Sequence, residues 1–303
     1  MRLPRGITGP DTEPFAPTAV GPAMASTWCA RARFVCGCAL VAALAWAVHG
    51  PALAGPPDAA AKLRAQHVAL TEQLGHTPFD RPIVLQSTQT SGALRGDIYA
   101  LVEHPFATVD EALQGASHWC DILILHLNVK GCGASDAAPR SSLAVSIGRK
   151  YDQPLASAFR VDFSYRIAEH APDYLQVLLT ADSGPRGTHD YRIALEAVRL
   201  DSRRSFIHMS YSHTYALAAR LAMQGYLSTL GSDKVGFSVV DRRSDGRPVY
   251  VGSMRGVVER NTMRYYLAID AYLNALSSPP QERLERRLRE WFAGTERYRL
   301  QLH

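Results

Sequence analysis

The sequence predicts an α+β fold in which a curved antiparallel sheet grips a long C-terminal helix. Three observations carry that expectation. Residues 142–213 alternate apolar and polar side chains with the period of a half-buried strand. Val258, Thr262, Tyr265, Ile269, Tyr272 and Leu276 step by three or four, the spacing of one helix face. Helical and strand patterns come in blocks rather than in regular alternation, which is the order of an α+β chain.

The chain opens on targeting features. Arg31-Ala32-Arg33 precedes an apolar run from Phe34 to Val48, followed by Pro51-Ala52-Leu53-Ala54. A charged region, an apolar core and an Ala-x-Ala site make a secretory signal peptide, cleaved after Ala54. The run is too short for a membrane anchor, since a spanning helix needs roughly 20 apolar residues. Residues 1–23 are rich in Pro, Gly and Thr and lack periodicity, so they specify no fold. A start at Met24 suits the leader better. Cys36-Gly37-Cys38 resembles the end of a lipoprotein box, but the apolar run continues past it, so lipidation is not expected. The expected layout is a disordered or misassigned segment 1–23, a signal peptide 24–54 and a single α+β domain 55–303. The mature protein is expected to be periplasmic or secreted.

The 303 residues hold 33 Lys and Arg against 28 Asp and Glu. Arg2, Arg5, Arg31, Arg33, Asp11 and Glu13 precede Gly55, leaving a formal charge of +3 on the mature part. That charge is too small and too evenly spread for a nucleic-acid binder. The densest basic stretch, Arg283 to Arg289, is interrupted by Glu285 and flanked by Glu282 and Glu290, as on a solvated helix face. Of five cysteines only Cys120 and Cys132 follow Ala54. In an oxidising compartment such a pair reads as a disulfide. It would close a short loop and contribute roughly 2–3 kcal/mol. The alternative is two unpaired thiols, one of them beside Trp119.

The elements follow in order. Leu63, His67, Leu70 and Leu74 mark a helix over Ala59 to Leu74, ended by Pro78 and Pro82. Ile83 to Thr90 and Gly96 to His104 read as a hairpin around Ser91-Gly92-Ala93. Thr108-Val-Asp-Glu111 is a capping box that predicts a helix start. Trp119 to Leu127 is apolar throughout and fits either more helix or a buried strand. Strands are expected at Ser142 to Lys150, Phe159 to Ile167, Tyr174 to Ala181, around Tyr191 to Glu196, and at Ile207 to His213. A helix from Leu217 stops at Gly231. Lys234 to Val240 and Pro248 to Gly252 predict two short strands around Ser244-Asp-Gly246. After the long helix, Pro279 and Pro280 break the chain. Leu284, Leu288, Trp291 and Phe292 define a last helix.

One strand face gathers Phe159, Phe163, Tyr165, Tyr191, Met209 and Tyr211. The long helix opposes it with Tyr265, Tyr266, Ile269 and Tyr272. Aromatic rings with several phenolic hydroxyls make either an ordinary filled core or an apolar pocket of the kind that takes small molecules. The cavity candidates are therefore Phe159, Phe163, Tyr165, Tyr191, Met209, Tyr211, Tyr265, Ile269 and Tyr272.

This order resembles the helix-grip domains of the START and Bet v 1-like superfamily. The likeness lies in Gly96-Asp-Ile-Tyr-Ala-Leu-Val-Glu-His-Pro-Phe106 running into a helix, then a meander, then a C-terminal helix, over about Ile83 to Leu276. The helix within Thr214–Leu230, the strand pair after it and the split last helix depart from that pattern. The resemblance implies a deep hydrophobic pocket for a lipid, sterol or polyketide. It transfers no catalytic residue.

Other candidates are weaker. The ten mature histidines show no metal-binding spacing, and no metal or other cofactor is expected. His208 and His213, five apart on one strand, point to opposite faces. Ser183-Gly184-Pro185-Arg186-Gly187 is a turn rather than a nucleophile elbow, with Thr188, His189 and Asp190 placed to line a pocket mouth. Arg255 or Arg260, if buried, would hold a ligand carboxylate or a structural acid. The leading expectation is a protein that binds a hydrophobic small molecule or lipid between sheet and helix. The others are an enzyme of cyclase or hydrolase type on the same scaffold, with His189, Asp190 and Tyr191 as first candidates, and an envelope interaction protein using Arg283–Arg297 against a partner or an anionic membrane.

Overall fold

The computed structural model describes residues 58–136, 140–229 and 231–303. The expected signal peptide, its expected cleavage site after Ala54 and the three cysteines before Gly55 lie outside the described residues.

Helix α1 (Ala59–Gly75) starts where Asp58 accepts a hydrogen bond from the Ala61 N–H at 2.6 Å. Strands β1 (Ile83–Gln89) and β2 (Ala93–Val102) form the expected hairpin, with Ile83 opposite Ala100. The next helix, α2 (Phe106–Leu113), corrects the sequence reading. Its N-cap is Pro105, whose carbonyl accepts from the Thr108 and Val109 N–H groups, so Thr108 lies inside the first turn and caps nothing. The proline, lacking a donor and with its φ fixed, supplies the helix entry that the capping box would have supplied. Gly115, at φ 97°, turns the chain into α3 (Ala116–Leu123), so the Trp119 segment is helix as far as Leu123 and turns from there to Leu127.

Strands β3 (Val129–Ser135), β4 (Ser141–Ile147), β5 (Phe159–Ala171), β6 (Tyr174–Ser183), β7 (Thr188–Arg199) and β8 (Ser205–Tyr215) then run antiparallel. They join the hairpin in one eight-stranded sheet of order β1-β2-β8-β7-β6-β5-β4-β3. Helix α4 (Leu217–Ser228) follows. The strand expected from Lys234 shrinks to β9 (Val239–Arg242), paired with β10 (Pro248–Tyr250). Residues 236–238 are held instead by the buried carboxylate of Glu259, which accepts from the Phe237 N–H at 2.6 Å, the Ser238 N–H at 2.8 Å and the Ser238 hydroxyl at 2.7 Å. Side-chain bonds have replaced ladder bonds there. Helices α5 (Ser253–Ala275), α6 (Arg283–Arg297) and α7 (Arg299–Leu302) complete the chain.

Period-two alternation sends two sets of side chains to opposite sides of the sheet. The inner set, including Ile98, Leu143, Val161, Leu179, Ile193 and Met209, packs on α2, α3 and α5 in the main core. The outer set, Val84, Tyr174, Val198 and Phe206, packs on Leu63, Leu70 and Leu74 of α1. The close approach of α5 to β2 needs a glycine: a Cβ on Gly96 would stand 2.1 Å from the Thr262 hydroxyl. Cys120 of α3 and Cys132 of β3 form a disulfide that ties a helix to the edge of the sheet. Among the described residues, no helix is long and apolar enough to cross a membrane.

Candidate ligand-binding site

The site is built where α5 crosses the inner face of β2 and β8, with β7 alongside. The Tyr211 ring of β8 packs on Tyr265 of α5, with centroids 5.0 Å apart, and on Tyr191 of β7 at 6.3 Å. Phe163 of β5 meets Tyr191 edge-on at 6.4 Å. Met209 and Ile269 are buried in the same core. These six of the nine candidates come together. The rings lie directly on one another, so the chosen face is closely packed.

The other three go elsewhere. Tyr165 is buried, but its hydroxyl accepts from the Gly115 N–H at 2.8 Å and donates to the Leu113 carbonyl, pinning the α2–α3 junction. Tyr272 lies under α3 and α6, where the Arg287 guanidinium sits over its ring at 5.5 Å and His118 packs beside it. Phe159, expected among the lining residues, is 43% exposed. It occupies the first position of β5, where the strand runs past its cover. Ile167, on the same expected face, is likewise exposed, at the edge of a register shift in the β5–β6 pairing.

Two histidines belong to the cluster. His213, next on the inner face of β8, stacks on Tyr191 at 5.2 Å. His126, in the turn after α3, stacks on Tyr265 at 4.8 Å. Burial pushes the His213 imidazole down to about 4, helped by His189. Burial pushes that of His126 down to about 3, helped by the Arg264 charge. Both rings are therefore neutral at physiological pH. His213 Nδ1 and His126 Nε2 are buried without a hydrogen-bond partner among the described residues. Asn261 of α5 stands beside Tyr211 and His126. His213 was legible as the next inner-face position of its strand. His126 sits in a turn, where no periodicity singles it out.

The end of the grip is closed by α4, which presses only Leu227, Ala219 and Met223 onto the core. Leu217 and Leu221, one turn apart, are 67% and 60% exposed. Beneath its N-terminal end the β7–β8 ladder is interrupted between His189 and Arg192, and Asp190 takes φ 50°. Such a bulge re-aims the neighbouring side chain, here Tyr191, into the cluster. The Tyr191 hydroxyl pairs with Thr188 at 2.7 Å. His189 and Asp190 stay outside, half-exposed or more. The Asp190 carboxylate and the Thr214 hydroxyl both approach the same His189 nitrogen, Nδ1, so the three do not line up as a relay.

Two further features lie outside the grip. A concavity of about 420 Å³ is lined by Phe79, Ile83, Leu85, Phe237 and Val239, between the end of α1 and the edge strand β1. On the outer sheet face, His208 bridges Asp97 and Glu196 at 2.8 Å each. Arg95 clamps Asp97 with two bonds, Tyr174 donates to Glu196, and Tyr99 stacks on His208. Burial opposes charge here, but the hydrogen bonds win: His208 is raised, and Asp97 and Glu196 are lowered. The network is fully partnered, the signature of a structural knot.

An eight-stranded antiparallel sheet with a long C-terminal helix across its inner face is a helix-grip architecture. Among solved structures, this chain is similar to norcoclaurine synthase from Thalictrum flavum at 12% identity, covering 48% of this chain and 91% of that one, TM-score 0.33. It is similar to a START superfamily protein from Mycobacterium smegmatis at 10% identity, covering 47% and 93%, TM-score 0.29. It is similar to the Zhui aromatase/cyclase from Streptomyces sp. R1128 at 10% identity, covering 46% and 87%, TM-score 0.30. These likenesses concern the fold alone. No family model and no curated protein matches the sequence.

Proposed function

We propose that this protein is exported to the periplasm or beyond, with its signal peptide removed after Ala54, and there binds a hydrophobic small molecule or lipid between sheet and helix. The observation that carries the reading is the buried group of Tyr191, Tyr211, Tyr265, His126 and His213, whose imidazoles hold polar atoms without partners among the described residues. A core under selection for packing alone does not bury unpaired nitrogens, each of which costs about 1–3 kcal/mol. A ligand carrying both an apolar body and a polar group relieves that cost. Helix α4, thinly anchored, is the element whose displacement admits it.

The test is native mass spectrometry of the mature protein from a periplasmic extract, with lipid analysis of the denatured sample. The expected outcome is an N-terminus at Gly55 and a bound apolar mass that is lost in His213→Leu. A bare mass, with no uptake from a lipid mixture, overturns the reading.

A further inference from the structure

Arg260 and Arg264 stand one turn apart on α5, both buried. Other arginines packed against the helices meet carboxylates: Arg81, in the loop before β1, grips Asp270 with two bonds, and Arg287 reaches Asp121 at 2.9 Å. These two meet only neutral oxygens. Arg260 donates to the Val235 carbonyl at 3.1 Å. Arg264 donates to the Leu302 carbonyl at 3.0 Å and, at 3.4 Å, to the Asn261 amide oxygen. The Nε of Arg264 is buried and has no partner among the described residues. Burial pushes Arg264 down to about 10, with Arg260 adding to the effect, and burial also lowers Arg260. The two charges feel one another; Asp233 and Glu259 act on Arg260 from a distance, and among the described residues neither arginine forms a salt bridge.

His126 completes the group. Its Nδ1 accepts from the Asn128 N–H at 3.3 Å, which assigns the proton of the neutral ring to Nε2. That Nε2–H has no acceptor within hydrogen-bond distance among the described residues, although the Asn261 side chain stands beside the ring. The unpaired donors of His126 and Arg264 lie beside two buried positive charges that no salt bridge neutralises among the described residues. Buried charges persist where something compensates them, and a guanidinium fork suits a planar two-oxygen head. A doubly charged head would carry a larger desolvation cost into the same interior.

We propose that Arg260, Arg264 and His126 form a carboxylate site, and that the ligand of the grip is an apolar carboxylic acid. Its head sits on the guanidiniums and its body lies along the Tyr265 and Tyr211 rings, which adjoin His126 by stacking. This deepens the proposed function and rests on it.

The experiment is calorimetric titration of the folded, disulfide-bonded mature protein with dodecanoate, 1-dodecanol and dodecyl phosphate at neutral pH. The acid is expected to bind about tenfold or more tighter than the alcohol. That preference should vanish in Arg264→Met and shrink in Arg260→Met, while the unliganded variants melt no lower than the parent. Equal affinity of the parent for acid and alcohol overturns the carboxylate site and leaves the apolar site standing. Tighter binding of dodecyl phosphate overturns the carboxylate assignment in favour of a phosphorylated head. Binding of none of the three overturns this inference and the proposed function together. The comparison on the parent decides the matter even if a variant fails to fold.

Discussion

At the scale of single residues, the site was half legible. Alternation along the strands placed Phe163, Tyr191, Met209 and Tyr211 on one face, because the pleat allows nothing else. Alternation is blind to strand ends, so it also chose Phe159, which the cover does not reach. It is equally blind to what a hydroxyl will bond, so Tyr165 counted as lining although it fastens α2 to α3. The roles proposed for Arg264 and His126 depend on which of their atoms lack partners among the described residues, and no sequence pattern records that. Gly96 gives a residue-scale prediction. Gly96→Ala puts a methyl group against the Thr262 side chain where β2 meets α5. The expected loss is roughly 1–3 kcal/mol, the usual cost of overpacking, read from urea unfolding. A companion Thr262→Ala should restore most of it.

At the scale of elements, the strands were read well and the connections less so. Period two over many residues has few competing explanations, whereas a capping box is four residues long and Pro105 overrode it. The Lys234 segment looked like a strand, yet its backbone donors bond the Glu259 carboxylate, a partner 21 or 22 residues away in sequence. Glu259→Ala would strand the Phe237 and Ser238 donors and should cost about 3 kcal/mol or more. Hydrogen exchange should show the loss of protection first at Phe237 and Ser238. The disulfide makes a separate prediction. Cys120→Ser with Cys132→Ser should lower stability by roughly 2–3 kcal/mol. The same pair should raise exchange in α3 and β3 and leave the β6–β8 ladder unchanged.

At the scale of the whole molecule, stability should peak near neutral pH, because two groups of histidines pull in opposite directions. His126 and His213 titrate near 3 and 4 in the fold and near 6.5 when unfolded. Between those values the unfolded chain binds more protons, so stability falls as pH drops below about 6.5. His208 is shifted the other way by its two carboxylates, so its contribution is full below 6.5 and is lost as pH rises through its folded value. Melting temperatures measured from pH 4 to pH 9 should trace a single maximum. In His213→Phe the acid limb should move to lower pH, and in His208→Gln the alkaline limb should flatten.

The sheet order also governs how the protein reaches its native state. Strand β2 has β1 on one side and β8 on the other, and Ser205 bonds the His104 carbonyl across 101 residues. The first hairpin therefore waits for nearly the whole meander before it gains its second neighbour. Chains dominated by such distant pairings fold in milliseconds to seconds rather than microseconds. A slow folder stays threadable for longer after synthesis, as the export proposed above would require. Moving the chain ends so that β8 directly precedes β1 should speed refolding by shortening that closure.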